Sequence, residues 1–255
     1  MTPLVFLHGL GGGHHAWEEQ VPYFGKLGYP SHAWDQPGYG HSQSVEPYDL
    51  EHITAALARL LQGLSDEPVV LVGHSMGGLI AQETYVRQPQ LIKAMALCFT
   101  SPAFAGGSSD FTKQFIAARV APLDQGKTMA QIAAQLIPTM GSNSKLAEQI
   151  MANVPPETYR KAVQLLTTFD RRKELASIKV PTLLIAGAED KTAPPSVMEK
   201  MASRIPGAEY VLLQGCGHLG PMDQPAAFND ALLFFLKNHG LRSIRAIPSP
   251  VPVFL

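Results

Sequence analysis

The sequence predicts an α/β protein: a mostly parallel central sheet flanked by helices, with a helical cap inserted into it. Three observations carry that reading. Short apolar runs recur along the chain with little polar alternation, as in strands buried on both faces of a parallel sheet. Segments with helical spacing lie between them, which argues for right-handed strand–helix crossovers. One long stretch, 101–176, carries helical patterns and no convincing strand.

The strand-like runs are Leu4–Leu7, Ser31–Trp34, Val69–Val72, Ala94–Cys98, Thr182–Ala186 and Tyr210–Leu213, several bounded by Gly or Pro. Between the second and third, Leu50, Ile53, Leu57, Leu60, Leu61 and Leu64 repeat at helical spacing, with Asp49 placed as N-cap. Leu79, Ile80 and Val86 follow the third run. Within 101–176, Phe111, Phe115 and Ile116 mark one helix. Met129, Ile132, Ala133, Leu136 and Ile137 mark a second. Tyr159, Ala162, Val163 and Leu166 mark a third, with Pro156 at its first position. Val197, Met198 and Met201 follow the fifth run behind Pro194 and Pro195. Phe228, Leu232, Phe235 and Leu236 form the last helix, stopped by Asn238 and Gly240. Beyond it, Pro248, Pro250 and Pro252 forbid a helix and a central strand, which leaves an extended surface segment or an unstructured end. The expected organisation is a core of 1–100 and 177–240, a cap of 101–176, and an extended tail of 241–255.

Composition bounds the function. At about 150 residues per domain, 255 residues leave one large or two small domains open. Apolar residues are 45% and charged residues 16%, which excludes intrinsic disorder. Lys and Arg total 20 against 21 Asp and Glu, so the basic excess of a nucleic-acid binder is missing. The opening MTPLVFLHG has no basic region and no long apolar run, so neither a signal peptide nor a membrane anchor is expected. Two cysteines, Cys98 and Cys216, make no disulfide framework, and a cytoplasmic setting is expected.

The strongest chemical signal is Gly73-His74-Ser75-Met76-Gly77, set between a strand and a helix. G-x-S-x-G in that context is a nucleophile elbow: a strained turn with small neighbours that lifts the serine hydroxyl to a helix N-terminus. A serine needs a base. Of the nine histidines, His218 is best placed, in a tight Gly-rich loop between the last strand and the last helix. His74 is locked beside the serine and is expected to point away. His239 lies near the end of the last helix, and His8, His14 and His15 flank a glycine loop. The base needs an acid to hold its tautomer, and Asp190 follows the fifth strand; spacing alone leaves Glu189 as its rival. The order Ser75, Asp190, His218 puts each group at the C-terminal end of a strand, where open α/β sheets place their sites. The oxyanion hole is expected from the backbone N–H groups of Met76 and of Leu10, the latter in the loop His8 to Gly13. That loop fails the dinucleotide G-x-G-x-x-G spacing because His14 stands where the last glycine belongs. Its histidines lack matched carboxylates or cysteines, so no metal is expected.

The segments HGLGGG, DQPGYGHS (Asp35–Ser42), GHSMGG (Gly73–Gly78), PTLLIAGAED (Pro181–Asp190) and GCGHLGPMDQP (Gly215–Pro225) resemble the α/β-hydrolase superfamily. Within it they are similar to small bacterial serine esterases, enol-lactonases and carbon–carbon bond hydrolases. The resemblance runs from Pro3 to about Asn238, the cap excepted. It implies Ser75 as nucleophile, Asp190 as acid, His218 as base, and Leu10 and Met76 as oxyanion donors. It implies a hydrolase of small carboxylic esters, thioesters or lactones that uses no cofactor. Carbon–carbon bond hydrolysis and cofactor-free haloperoxidation are the enzymatic alternatives, and a ligand-binding receptor on the same fold is the non-enzymatic one. Epoxide hydrolases and haloalkane dehalogenases resemble this fold but carry an aspartate at the elbow, where Ser75 stands. Members of the family usually place an antiparallel hairpin before the HG loop. Here only Met1–Pro3 precede the first strand, so the hairpin is expected to be absent and the exposed edge to be covered by the tail or a second chain. The second departure is Gln36, where relatives often carry a basic or apolar residue. An apolar substrate pocket is expected from cap side chains Phe104, Phe111, Phe115, Met129, Met140 and Phe169. The expected partner is a small apolar ester, with no nucleic acid or membrane, and a homo-oligomer is left open.

Overall fold

The computed structural model describes residues 2–104, 109–241 and 253–254. Its strands are β1 (Leu4–Leu7), β2 (Ser31–Trp34), β3 (Val69–His74), β4 (Ile92–Cys98), β5 (Thr182–Gly187), β6 (Glu209–Leu213) and the two-residue β7 (Val253–Phe254). They form one sheet in the order β6-β5-β4-β3-β1-β2-β7, and every pairing is parallel. The helices are α1 (Gln20–Lys26), α2 (Leu50–Leu64), α3 (Met76–Arg87), α4 (Ser109–Asp124), α5 (Met129–Leu136), α6 (Lys145–Ala152), α7 (Pro156–Leu166), α8 (Pro195–Ala202), α9 (Gly220–Asp223) and α10 (Pro225–Asn238). Among the described residues no helix is long and apolar enough to cross a membrane.

The apolar runs form strands because both faces of the sheet are covered. Leu4 and Phe6 of β1 join one buried cluster with Trp17, Val70, Val72, Phe228 and Phe235, under α1 and α10. Val5 and Leu7 join the other with Leu71, Ile80, Leu97 and Met198, under α2, α3 and α8. Alternation along β1 therefore divides the core in two rather than separating core from solvent. Asp49 caps α2 as expected, its carboxylate accepting from the His52 N–H at 2.8 Å.

Four strands run past the apolar stretches that mark them, two of them into a glycine placed for a steric reason. Gly73 ends within β3 because a Cβ there would lie 2.4 Å from the Gly77 carbonyl oxygen. Gly187 ends β5 because a Cβ would lie 2.4 Å from that of Cys216. Reading by hydrophobicity stops at such residues although the pairing continues. Helices α1, α6 and α9 also fall outside the sequence patterns, since each has two turns or fewer and buries too few side chains to show a period.

The tail differs from a purely surface segment in one respect. Backbone pairs join His32 to Val253 and Ala33 to Phe254, so β7 lies on the free side of β2. An edge tolerates neighbouring prolines that a central strand does not. Residues 242–252 and 255 of the tail lie outside the described residues.

Between β4 and β5 the chain builds α4 to α7. It leaves and re-enters the core through a short antiparallel contact. Ala103 bridges Asp170, Phe104 N–H donates to the Phe169 carbonyl at 2.9 Å, and Arg171 N–H donates to the Pro102 carbonyl at 2.8 Å. Buried Glu83 of α3 anchors this neck. Its carboxylate accepts from Arg171 Nε (2.7 Å) and Nη2 (2.8 Å) and from Arg87 Nε (2.6 Å). A buried carboxylate is tolerable only with such charge-assisted partners.

Candidate active site

Parallel strands bring their C-terminal ends to one edge of the sheet, and the loops after β1, β3, β5 and β6 converge there. Ser75 follows β3 directly, with φ 52° and ψ −117°. This left-handed backbone is costly for a residue with a Cβ and persists only where the surroundings enforce it. Here the enforcement is close packing. A Cβ on Gly77 would lie 2.1 Å from the Leu7 carbonyl oxygen, so β1 and the start of α3 touch backbone to backbone.

His218 Nδ1 lies 2.8 Å from Asp190 Oδ2, and His218 Nε2 lies 2.9 Å from Ser75 Oγ. A carboxylate only accepts, so Nδ1 carries the proton and Nε2 accepts from the serine hydroxyl. Asp190 is itself fixed, its Oδ1 accepting from the N–H groups of Thr192 (2.7 Å) and Ala193 (2.9 Å). Both Asp190 and His218 are buried, while Glu189 is exposed and takes no part in this chain of bonds. His74 turns from the serine into the histidine loop, where its Nε2–H donates to the His218 carbonyl at 2.8 Å. Burial, and secondarily the neighbouring His218, lower its pKa to about 3, so it stays neutral. The two cysteines are poor rival nucleophiles. Burial pushes Cys216 up to about 12 and Cys98 higher still, so neither offers a thiolate.

The peptides carrying the Leu10 and Met76 N–H groups are held in the same way. In a trans peptide the N–H points opposite to the preceding carbonyl, so fixing one aims the other. The Gly9 carbonyl accepts from His8 Nδ1 (2.8 Å) and from Gly12 N–H (3.0 Å), which orients Leu10 N–H. The Ser75 carbonyl accepts from Thr100 Oγ1 (2.8 Å) and from Gly78 N–H (2.9 Å), which orients Met76 N–H. Gln36 N–H donates to His8 Nε2 at 3.2 Å, which leaves the ring its Nδ1–H, and burial lowers the His8 pKa to about 4. The Gln36 side chain donates to the His8 carbonyl at 2.5 Å, and the Tyr39 hydroxyl donates to that of Leu10 at 2.8 Å. Sequence reasoning missed Gln36, Tyr39 and Thr100 as supports. Gln36 and Thr100 each lie two residues beyond a parallel strand, on the active edge of the sheet, and that position is the signal that marks them.

A cavity of about 90 Å³ adjoins Ser75 and His218. Leu10 lines it from the core, and Phe115, Met140, Met151 and Leu166 from the helices opposite. A wider cleft of about 730 Å³ reaches Ser75 and Met76 from the α8 side, lined by Phe104, Phe111 and Phe115. Of the side chains expected to form a pocket, Phe115 and Met140 border the cavity, and Phe104 and Phe111 only the cleft. Met129 and Phe169 border neither. Met129, the first residue of α5, packs in the shared core, and Phe169 is buried at the neck, so these two serve packing rather than lining. Met151, Tyr159 and Arg119 line the cavity without having been expected there, Tyr159 having been read only as the buried face of a helix.

A family model described as alpha/beta hydrolase fold matches residues 2–225. The chain belongs to the α/β-hydrolase family. It is 29% identical to BpoC of Mycobacterium tuberculosis, provisionally named a non-heme bromoperoxidase, over 91% of this chain and 93% of that protein. It is 30% identical to RutD of Stutzerimonas stutzeri, provisionally named a carbamate hydrolase, over 90% of this chain and 89% of that one. Among solved structures, a thermophilic esterase from Thermogutta terrifontis superposes with a TM-score of 0.83 at 25% identity, covering 94% of this chain and 90% of the other. Three names on one framework place the differences between such α/β hydrolases outside the fold itself.

Proposed function

We propose that this α/β hydrolase cleaves small carboxylic esters, thioesters or lactones through an acyl-enzyme. The observation that carries the reading is the continuous path from Asp190 Oδ2 through His218 to Ser75 Oγ, with bonds of 2.8 and 2.9 Å, ending at an apolar cavity. Ser75 Oγ attacks the substrate carbonyl while His218 Nε2 takes its proton, and Asp190 stabilises the imidazolium. The tetrahedral oxyanion accepts from the N–H groups of Leu10 and Met76, which their pinned carbonyls hold in place before substrate arrives. His218 then gives the proton to the departing alcohol. In the second half the same nitrogen takes a proton from water, which releases the acid. The helices α4 to α7 act as the cap over the acyl group, and no cofactor is required.

The test is hydrolysis of nitrophenyl esters of increasing acyl length by the wild type and by Ser75→Ala. The variant is expected to lose at least about 10⁴-fold in kcat. Wild-type rates no higher than those of the variant would overturn the reading. BpoC favours a second one, haloperoxidation on the same three residues. Peroxide-dependent bromination abolished by Ser75→Ala, with no ester turnover, would establish it instead.

A further inference from the structure

Helix α4 sends one charged side chain to the Ser75 cavity, that of Arg119. The wall around it is apolar, with Leu136, Ile137, Met151 and Leu166. Arg119 is only partly buried, and where its guanidinium faces this apolar wall a counter-charge stabilises it. Among the described residues no carboxylate forms an ion pair with Arg119. The nearest acid along α4, Asp124, pairs with Arg160 of α7 instead, at 2.7 Å. The Phe115 ring one turn earlier lies 5.3 Å from the Arg119 guanidinium carbon, which orients the side chain and supplies no negative charge.

Tyr159 of α7 lines the same cavity. It is fully buried, and its hydroxyl lies against the Arg119 guanidinium, which can only donate, so the phenol proton has no acceptor among the described residues. Burial raises its pKa, and the nearby Arg119 opposes the rise, so the phenol stays protonated and available to donate. A buried hydroxyl proton without an acceptor is uncommon in a folded protein and calls for an explanation. A cation with no carboxylate partner and a hydroxyl proton with no acceptor thus share one small cavity with the serine. Each independently asks for oxygen acceptors, and together they ask for an anion. A planar carboxylate suits both the guanidinium fork and the limited volume.

We propose that Arg119 and Tyr159 form a subsite for a carboxylate at the far end of the acyl group, so that the enzyme prefers half-esters of short dicarboxylic acids, or lactones bearing a carboxylate. The proposal rests on the hydrolase reading above for its reaction, but not for its binding. Arg119 donates to the carboxylate and the Tyr159 hydroxyl completes its acceptors, while the ester carbonyl reaches Ser75.

The test compares kcat/KM for the mononitrophenyl ester of glutarate with that for nitrophenyl pentanoate, a neutral ester of equal acyl length. The wild type is expected to favour the anionic ester at least about tenfold. Arg119→Gln is expected to lower that ratio about tenfold, Arg119→Lys by less, and Tyr159→Phe by about threefold. A wild type that favours pentanoate, or a ratio unmoved by Arg119→Gln, overturns the proposal. Calorimetric binding of glutarate to Ser75→Ala, and its loss in Ser75→Ala/Arg119→Gln, provides the readout without turnover. Glutarate bound through Arg119 with neither ester cleaved would sink the hydrolase reading and leave the subsite standing. Both esters cleaved alike, with no glutarate bound, would do the reverse.

Discussion

The two walls of the cavity are made of different materials. The core wall is backbone: the Ser75 elbow, the Gly9–Leu10 peptide and the His218 loop, held by carbonyls whose partners are all internal. The facing wall is side chain: Phe115, Met140, Met151 and Leu166, projecting from helices whose own positions depend on packing among themselves. Backbone contacts have one workable geometry, whereas apolar side chains of similar volume exchange at small cost. On the proposed reading, chemistry falls to the wall that cannot vary and substrate choice to the wall that can.

Substitutions on either side break or sharpen that contrast. The largest effect is expected from Gly77→Ala. The added methyl meets the Leu7 carbonyl at 2.1 Å, where only a shift of β1 against α3 relieves it. A loss upward of about 3 kcal/mol in urea unfolding is expected. A variant as stable as the wild type would show that the elbow is softer than its contacts imply.

Acid is expected to strike the same wall. Folded His8 and His74 take a proton only near 4 and 3, because burial disfavours the charged ring, while the unfolded chain's histidines titrate near 6.5. Below about 6.5 the unfolded state therefore binds more protons, and stability falls as pH drops. The loss is about 2 kcal/mol for each histidine by pH 5, and nothing is lost above neutrality. Urea midpoints at pH 7.5 and 5 measure it. His8→Asn keeps a donor for the Gly9 carbonyl and should remove about half of the slope. An unchanged slope in that variant would count against a buried neutral His8.

Thr100→Val deletes the donor to the Ser75 carbonyl at nearly constant volume. About tenfold is expected to be lost from kcat with KM little changed, since the Met76 N–H matters most to the charged intermediate. A change confined to KM would mean that Thr100 shapes the pocket instead. The smallest effect is expected across the cavity. Met140→Ala should alter the ratio of long to short acyl esters several-fold, with a stability change of about 1 kcal/mol, because the side chain is only partly buried. Were it to abolish activity for every ester, the division between the walls would fail.

The same division explains what could be read beforehand. The elbow glycines, the loop after β1, Asp190 and His218 are legible because backbone contact demands particular residue types at particular spacings. Glycine at 73 and 77 is such a demand, and so is the order of the three polar groups along the strands. Asp190 and Glu189 differ only in burial, in the His218 contact and in the N–H groups of Thr192 and Ala193, which depend on how the loop folds. The facing wall was legible as helices but not as a lining. Met129 opens α5 and Met140 lies about three turns on, just past its end, yet one packs inward and the other borders the cavity. Helical period identifies a buried face without telling which cavity or core it meets. Arg119 and Tyr159 were hidden for a related reason: in the sequence nothing distinguishes an arginine without a partner from the many that have one.

The neck between Pro102–Phe104 and Phe169–Arg171 bears on how such a molecule diversifies. Its two strands lie side by side and are clasped to α3 by Glu83, so the chain leaves and re-enters the core at one place, while Met140, Ser142 and Thr158 reach back to the His218 N–H, Asp223 and the Gly38 carbonyl. Whatever joins the two sides has only to bring its ends together, and the entropy of closing a longer or shorter connection changes slowly with its length. A segment of different size and lining fits the same place without altering the register of β4 and β5. Variation in that connection is thus absorbed at one crossing of the chain, provided the contacts to the His218 loop, Asp223 and Gly38 are kept or replaced.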